Sequence, residues 1–548
     1  MLLTQKETSA ARGLTDLFCN PRYLPLFLPP DGGPGTEGYE GWAVPATFEP
    51  KHGHQIYLIY QGMIHNTRMA LSGLGRQRDV DVVTQLYQEN WWLTQLAAED
   101  TSAVWERHWY PHNYELTALE AYLDLYVLTG NTTYLKAVRG GWKMFRELWI
   151  HPGGSMAINE GDAFIPTTGP DKGKGQPIWN TSVRFPPGSH YLCAGALVPP
   201  ENEVEVPGEC NLNTGELCGS SFWLKLNQRF HRLEPDNETY VSEMERSIYN
   251  VGLAAQVADG TRIRYFARLH GYKQPGYNIG TCCEGQGTRM FGQLPEYLYS
   301  HTADGSGVYI DMYAASTHRW RSGSGAEVVL SMDTDWPYSE QATLRITTDR
   351  TAEFTLSFRA PSWLATPRGS TLVINGKQRV AMPRGSYVHV KRQWQSGDVV
   401  VIELPMKLTA VRYSGRSTVP GHERFAFLYG PLLMAAIHGT GGLAPNGTVD
   451  HALLNAGWTE HDVSPFSTRL NLVIPNASGA EPGAWLSPIP GRPAAFRVKH
   501  APALSLVPYF EIGAEHFTTF PLFKAGSKAP ASKTDDAVSS QVWDLQPS

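Results

Sequence analysis

Glu216, Cys218, Cys282 and Cys283 are the residues of this chain whose types and spacing best suit a metal or a nucleophile. Cys282 and Cys283 are adjacent in the glycine-rich run Asn278-Ile-Gly-Thr-Cys-Cys-Glu-Gly-Gln-Gly-Thr288, and Cys218 follows Glu216 by two positions. Three thiolates and a carboxylate make a tetrahedral zinc shell, and zinc keeps the thiols it binds deprotonated. The spacing sets conditions on the backbone. Residues two apart do not share a helix face, so Glu216 and Cys218 converge only if a helix starts there with Glu216 in the preceding loop. Cys282 and Cys283 point apart in an extended chain, so both reach one ion only from a tight turn, which Gly280, Gly285 and Gly287 would supply. A second reading has comparable weight at this point: buried structural thiols, or a cysteine pair that includes Cys193 or Cys210. Cys19, the last of the six cysteines, has no role that spacing assigns.

Around these residues lie others with chemical potential. Glu201, Glu203, Glu205 and Glu209 make an acidic loop before Glu216. A general acid for glycoside cleavage is a carboxyl group whose pKa its surroundings have raised, whereas a solvated acidic loop needs no function at all. His112, in His108-Trp-Tyr-Pro-His112, and His190, in Ser189-His-Tyr191, are able to bind sugar hydroxyls or simply to donate to backbone carbonyls.

The elements that must hold these residues fall into two textures that meet near residue 305. Before it, Leu116, Leu119, Leu123 and Tyr126 recur at helical spacing and stop at Gly130-Asn131. Phe222, Leu226, Phe230 and Leu233 repeat the pattern, as do Tyr240, Met244, Ile248 and Val251. Helices joined by short loops predict a bundle, toroid or solenoid, and no fixed period favours the solenoid. Between them an irregular stretch rich in Gly, Pro and Asn runs from about 153 to 215. After 305 the alternation changes to that of strands: Leu344 with Ile346, Phe354 with Leu356 and Phe358, then Thr371-Leu-Val-Ile374 before an Asn375-Gly376 turn. Short strands and tight turns predict an antiparallel β-sandwich. A further β-rich segment follows from about 425 to 523, and the composition after Gly526 predicts a disordered tail.

The 548 residues suit about three or four domains. With a formal net charge of -6, the chain lacks the basic surface that nucleic acid requires. No apolar run is long enough to span a bilayer. The N-terminus lacks the apolar core of a secretory signal, which points to a cytoplasmic protein, with secretion the alternative if a signal has been removed. Five Asn-x-Ser/Thr sequons, at Asn131, Asn180, Asn237, Asn446 and Asn476, are no more than a chain of this length collects by chance.

Taken together, the motifs resemble the β-L-arabinofuranosidases of glycoside hydrolase family 127 and its relative, family 146. Trp109-Tyr-Pro-His112 with Leu125-Tyr-Val-Leu-Thr-Gly-Asn131 resembles the family's WYxxHK helix and its ending. Glu216-Leu-Cys218 is similar to its Glu-Thr-Cys, Tyr240 to Asn250 to its YADxxERxxYN helix, and Thr281 to Gly287 to its WCCxGTG turn. Val308-Tyr-Ile-Asp-Met-Tyr313 resembles the strand that follows. Arg359-Ala-Pro-Ser-Trp363, Ile374-Asn-Gly-Lys377, Trp394-Gln-Ser-Gly-Asp398 and Leu428-Tyr-Gly-Pro431 then match the RxPSW, NGK, WxxGD and GPL segments in order.

The resemblance implies a multidomain α plus β protein: an (α/α) six-hairpin barrel over 1–304, a β-sandwich over 305–420, a second β-rich segment over 421–525 and the tail over 526–548. It implies zinc held by Glu216, Cys218, Cys282 and Cys283, with Cys282 also the nucleophile of a retaining glycosidase. The acid/base is Glu201 by position, with Glu203 close behind. Tyr265, His112 and His190 take positions of sugar-binding residues. The expected partner is a glycan or glycoside, and the sandwich domains of the family allow a homodimer. Three departures lie near the expected pocket: Ala194 to Pro200 replaces a glycine-rich segment, Arg289 stands where Glu is common, and Glu-Leu-Cys-Gly replaces Glu-Thr-Cys-Asn. Two other functions stay open: a zinc-stabilised carbohydrate-binding protein without turnover, and an (α/α)-barrel polysaccharide lyase or uronyl hydrolase, which would have no need of the cysteines.

Overall fold

A computed structural model describes residues 63–75, 91–100, 112–148, 150–154, 214–271, 273, 282–366, 370–412, 421–438, 472–474, 477, 479, 481–513, 515 and 517–525. They fall in two compact units, one up to residue 150 and one of 151–154 with 214–525. The chain is thus a mixed helix and sheet protein with a sheet-rich C-terminal region. The expected tail lies outside the described residues, as does most of the irregular 153–215 stretch. Among the described residues no helix is long and apolar enough to cross a membrane.

The first unit is helical: α1 over 63–71, α2 (Trp91–Ala97), α3 (His112–Thr129) and α4 (Thr132–Leu148). Leu116, Leu119 and Leu123 of the expected stripe are buried, and Gly130 ends α3 with positive φ. Gly140 and Gly141 let α4 pack closely: a Cβ at 140 would strike the Leu96 carbonyl of α2, and one at 141 the Leu119 side chain of α3.

The second unit opens with the short pair β1 (Thr214–Glu216) and β2 (Phe266–Arg268), between which come α5 (Leu217–Leu233) and α6 (Glu238–Arg246). Asn237, one of the sequon asparagines, caps α6 by accepting from the Thr239 N–H at 3.2 Å. A π-helical turn over Ser247–Gly252 continues α6, so the predicted helix is longer and less regular than a single α stretch. The strand β3 (His270–Gly271) and the helix α7 (Cys282–Gly292) complete the helical part.

Strands then dominate, in chain order β4 (Tyr299–His301), β5 (Gly307–Ile310), β6 (Ser316–Arg321), β7 (Glu327–Asp333), β8 (Gln341–Thr348), β9 (Ala352–Ala360), β10 (Ser370–Ile374), β11 (Gln378–Met382), β12 (Ser386–Trp394) and β13 (Val399–Glu403). One sheet runs β11-β10-β13-β8-β7-β6 and a second β12-β9-β5-β4. Alternate residues of both, among them Leu330, Leu344, Ile346, Leu356, Phe358 and Trp394, share one core. The pairing is antiparallel as expected except between β5 and β9, which run parallel. The Asn375-Gly376 turn forms where the sequence places it, with both residues at positive φ.

A third sheet collects β14 (Leu408–Arg412), β15 (His422–Tyr429), β16 (Leu432–His438), β17 (Leu486–Pro488), β18 (Phe496–Val498), β19 (Ala501–Pro508), β20 (Phe517–Thr518) and β21 (Leu522–Lys524). It also recruits β3 from far upstream: His270 pairs with Thr518, and Thr519 donates to the Leu269 carbonyl, 250 positions earlier, from both its N–H (2.8 Å) and its hydroxyl (2.9 Å).

The motifs quoted from the sequence touch one another in pairs. Arg359, fully buried, donates to Glu238 (2.8 Å), Glu245 (2.8 Å) and the Ser242 hydroxyl (3.1 Å), all on α6. Trp363 donates its indole N–H to the same Glu245 at 2.8 Å, and Ser362 meets Ser242 at 3.1 Å. Asn250 donates to the Pro431 carbonyl (2.8 Å) and accepts from the Leu433 N–H (2.7 Å). Asn375 donates to Asp398 at 2.7 Å and accepts from the Val399 N–H at 2.8 Å. The far end of α5 is tied in by His231, which meets Asp311 at 3.0 Å where Tyr387 (2.8 Å) and Ser300 (2.5 Å) also donate. These clasps fix α5 and α6 on the sheets, and α5 carries the first cysteine of the site.

Candidate active site

Helix α5 starts at Leu217, directly after Glu216 ends β1. Leu217 donates its N–H to the Tyr265 carbonyl at 3.1 Å, and Glu216 faces Phe266 across the β1–β2 pair. Cys218 therefore sits in the first turn of α5 as expected, with Glu216 at the end of a strand rather than in the expected loop. The glycine-turn expectation for the other pair is corrected: Cys282 and Cys283 are the first two residues of α7, and Gly285 and Gly287 lie inside that helix. Helical backbone turns consecutive side chains by about 100° rather than the near-reversal of a strand, which is why no tight turn is needed. Gly287 serves the packing instead. A Cβ there would lie 2.9 Å from a methyl of Ile263 and 2.9 Å from a methyl of Leu217, so a larger residue would make these side chains shift where α7 meets the start of α5.

The result is a triangle of sulfurs. The Sγ atoms of Cys218, Cys282 and Cys283 all lie within 4.8 Å of one another, and those of Cys218 and Cys283 are 3.2 Å apart. All three are free thiols. Cys218 (1% exposed) and Cys283 (0%) are buried, whereas Cys282 is exposed. Tyr265 places its hydroxyl 3.6 Å from the Cys282 sulfur. The Cys282 thiol is held well below the ordinary thiol range by hydrogen bonding, from Cys218 first and Cys283 next, with Tyr265 adding and burial opposing. The N-terminal ends of α5 and α7 both favour negative charge at the sulfurs.

This asymmetry has a direct chemical readout. Brief treatment with iodoacetamide is expected to alkylate Cys282 and spare Cys218 and Cys283, and peptide mapping by mass spectrometry checks it. Equal labelling of all three would mean that the buried pair opens.

The triangle suits a soft divalent metal. Zinc–sulfur bonds of about 2.3 Å in a tetrahedron put sulfurs roughly 3.8 Å apart, inside the observed range. Among the described residues this is the one cluster of three or more Cys, His, Asp or Glu side chains close enough to share an ion.

Residues 201–296 match the profile described as "Beta-L-arabinofuranosidase, GH127 catalytic domain", and residues 307–406 match that of the "GH127 middle domain". These two segments carry the sequence signature of glycoside hydrolase family 127. The cysteines fall within the first of these segments, and Arg359 with its partner motifs NGK and WxxGD within the second. Among solved structures this chain is similar to one described as a glycoside hydrolase, with a TM-score of 0.57 at 17% identity over 87% of this chain and 77% of the other. It is also similar to a GH127 beta-L-arabinofuranosidase from Geobacillus stearothermophilus T6 (TM-score 0.53, 16% identity, 85% and 72% covered). A third is a GH127 beta-arabinofuranosidase (0.53, 16%, 86% and 77%). At these identities the likeness is one of fold. No curated protein sequence matches.

The predicted site residues divide by what is described. Cys218, Cys282, Cys283 and Tyr265 come together. Glu216 is placed by its backbone at the end of β1, with its side chain outside the described residues, and His112 likewise opens α3 by its backbone alone. His190, Glu201, Glu203, Cys19, Cys193 and Cys210 lie outside them altogether. What sequence reasoning missed is the polar strip behind the cysteines. Gln286, on α7, accepts from Ser221 (3.3 Å), Lys225 (3.4 Å) and Arg289. Its signal was present in the seven-residue spacing of Cys218 to Lys225 and of Cys282 to Arg289, which puts each pair on one helix face.

Proposed function

We propose that this GH127 glycoside hydrolase is a retaining furanosidase that cleaves terminal β-L-arabinofuranosides. The observation that carries the reading is the sulfur triangle with one exposed member, set in the segment that matches the family's catalytic domain. Cys282 attacks the anomeric carbon: a carbon–sulfur bond forms as the bond to the leaving oxygen breaks, and Glu201 gives that oxygen its proton. Glu201 then takes a proton from water, which displaces the sulfur from the same face that the aglycone left. Two displacements give net retention.

Glu216, Cys218, Cys282 and Cys283 would hold a zinc ion. When bound, zinc supplies thiol deprotonation at neutral pH. Tyr265 orients Cys282 through its hydroxyl, and His112 and His190 hold sugar hydroxyls. The helices make an (α/α) six-hairpin barrel and the two sheets over 299–403 a β-sandwich. The name of the Geobacillus relative, a beta-L-arabinofuranosidase, supports the choice of sugar.

Metal analysis of the purified protein, paired with a screen of aryl furanosides and pyranosides, tests this. About one zinc per chain with hydrolysis of the aryl β-L-arabinofuranoside is the expected outcome. No turnover on any furanoside by a zinc-loaded protein would sink it.

A further inference from the structure

The polar strip between α5 and α7 has too many donors for its acceptors. Ser221, Lys225 and Arg289 all direct a donor at one atom, Gln286 Oε1, which has two lone pairs. Lys225 is 9% exposed, and Gln286 Oε1 is the acceptor its ammonium finds among the described residues, at a long 3.4 Å. The Arg289 Nε is buried with no acceptor among them. Both cations also rest against the Phe222 ring, Lys225 Nζ at 5.4 Å from its centroid and the Arg289 guanidinium at 6.0 Å. A ring face and one amide oxygen are poor company for two positive charges. Lys225 is buried and Arg289 half-buried; a cation withdrawn from water is ordinarily paired with a carboxylate, and the described residues bring none to this pair.

An anion with several acceptor oxygens would satisfy these donors together. Its place follows from the helices. Lys225 and Arg289 each lie two turns along from a cysteine of the triangle, about 10 Å by helix rise, on the faces that α5 and α7 turn toward each other. That is the separation of a neighbouring sugar unit rather than of the one that reacts.

The geometry points to a subsite, formed by Ser221, Lys225, Gln286 and Arg289, for the carboxylate of a uronic acid in an acidic glycan. A guanidinium and an ammonium converging from two helices suit a planar carboxylate. This names the substrate class of the furanosidase reading and rests on it for the word substrate, but the binding itself does not depend on turnover.

Calorimetric titration of the full chain with methyl galacturonoside, methyl xyloside and sulfate tests it. Saturable uronoside binding is expected, at least tenfold tighter than binding of the neutral xyloside. Lys225→Met and Arg289→Leu are each expected to weaken it by tenfold or more, while Arg289→Lys retains part of it. Uronoside bound no better than xyloside would overturn the proposal, and so would uronoside binding unchanged in both variants. Sulfate bound in preference to uronoside would overturn the uronic acid assignment. The wild-type comparison stands even if a variant fails to fold. Failure here leaves zinc content and arabinofuranoside turnover untouched, and failure of those leaves anion binding untouched.

Discussion

Replacing Cys282 with serine is expected to lower turnover of an aryl β-L-arabinofuranoside by about 10⁴-fold or more, the scale seen when an enzyme's covalent nucleophile is removed. The argument is electronic rather than steric. Serine occupies nearly the same space, but its hydroxyl stays protonated where the Cys282 thiol, hydrogen-bonded by Cys218 and Cys283 at the start of α7, ionises readily. Sulfur is also the better nucleophile and the better zinc ligand. Glu201→Ala provides the contrast. It removes the proposed proton donor and leaves the sulfur set intact, so zinc should stay at parental stoichiometry while turnover falls, least for aryl leaving groups that need little protonation. Both variants are read by initial rates and by metal content. Parental activity in Cys282→Ser would exclude the cysteine as nucleophile.

Arg359→Met is expected to destabilise the fold by about 3–5 kcal/mol, the typical result of removing one partner from a buried ion cluster. Arg359 is fully buried between Glu238 and Glu245, which are themselves buried, and its loss leaves two carboxylates without their cation. Urea denaturation followed by circular dichroism measures the deficit. Burial already pushes the Glu238 carboxyl above its ordinary range, against the pull of Arg359. Without the arginine it rises further, and a raised folded-state pKa makes protonation stabilising. The deficit relative to the parent should thus be full at neutral pH and shrink as pH falls through the acidic range, where the Glu238 carboxyl becomes neutral. A deficit that grows toward acid would contradict the assignment. A companion variant with Glu238→Gln and Glu245→Gln added should recover part of the loss.

The contrast between these two residues shows what the sequence could disclose. Cys282 announces itself by type and company: few cysteines, two adjacent, glycines around them. Its backbone setting is not legible in the same way, because glycines near a candidate ligand suggest a turn, whereas Gly287 clears space for Leu217 and Ile263. Close approach between segments far apart in the chain leaves no local trace. Arg359 is legible only as part of a motif, since nothing in Arg-Ala-Pro-Ser-Trp says that its partners lie more than a hundred positions earlier on α6. The strands after 305 were legible for a simple reason. Alternation is a local property, and β7 and β8 bury every second residue as their sequences predict. The recruitment of β3 by Thr518 is a long-range pairing of a two-residue strand, too short to carry any pattern. The parallel β5–β9 contact is missed for the same reason, since partner direction is set by topology and not by the strand's own residues.

The absence of a side chain at position 287 also makes that position a calliper. Two cysteines ride on α7 and one on α5, so the gap between the helices, set where Gly287 meets Leu217, is also the gap between their sulfurs. A protein that tunes its thiols this way can change their spacing without altering any residue that bears sulfur. A larger residue at 287 would press on Leu217 and Ile263 and so act on the spacing of the sulfurs from outside the reacting set.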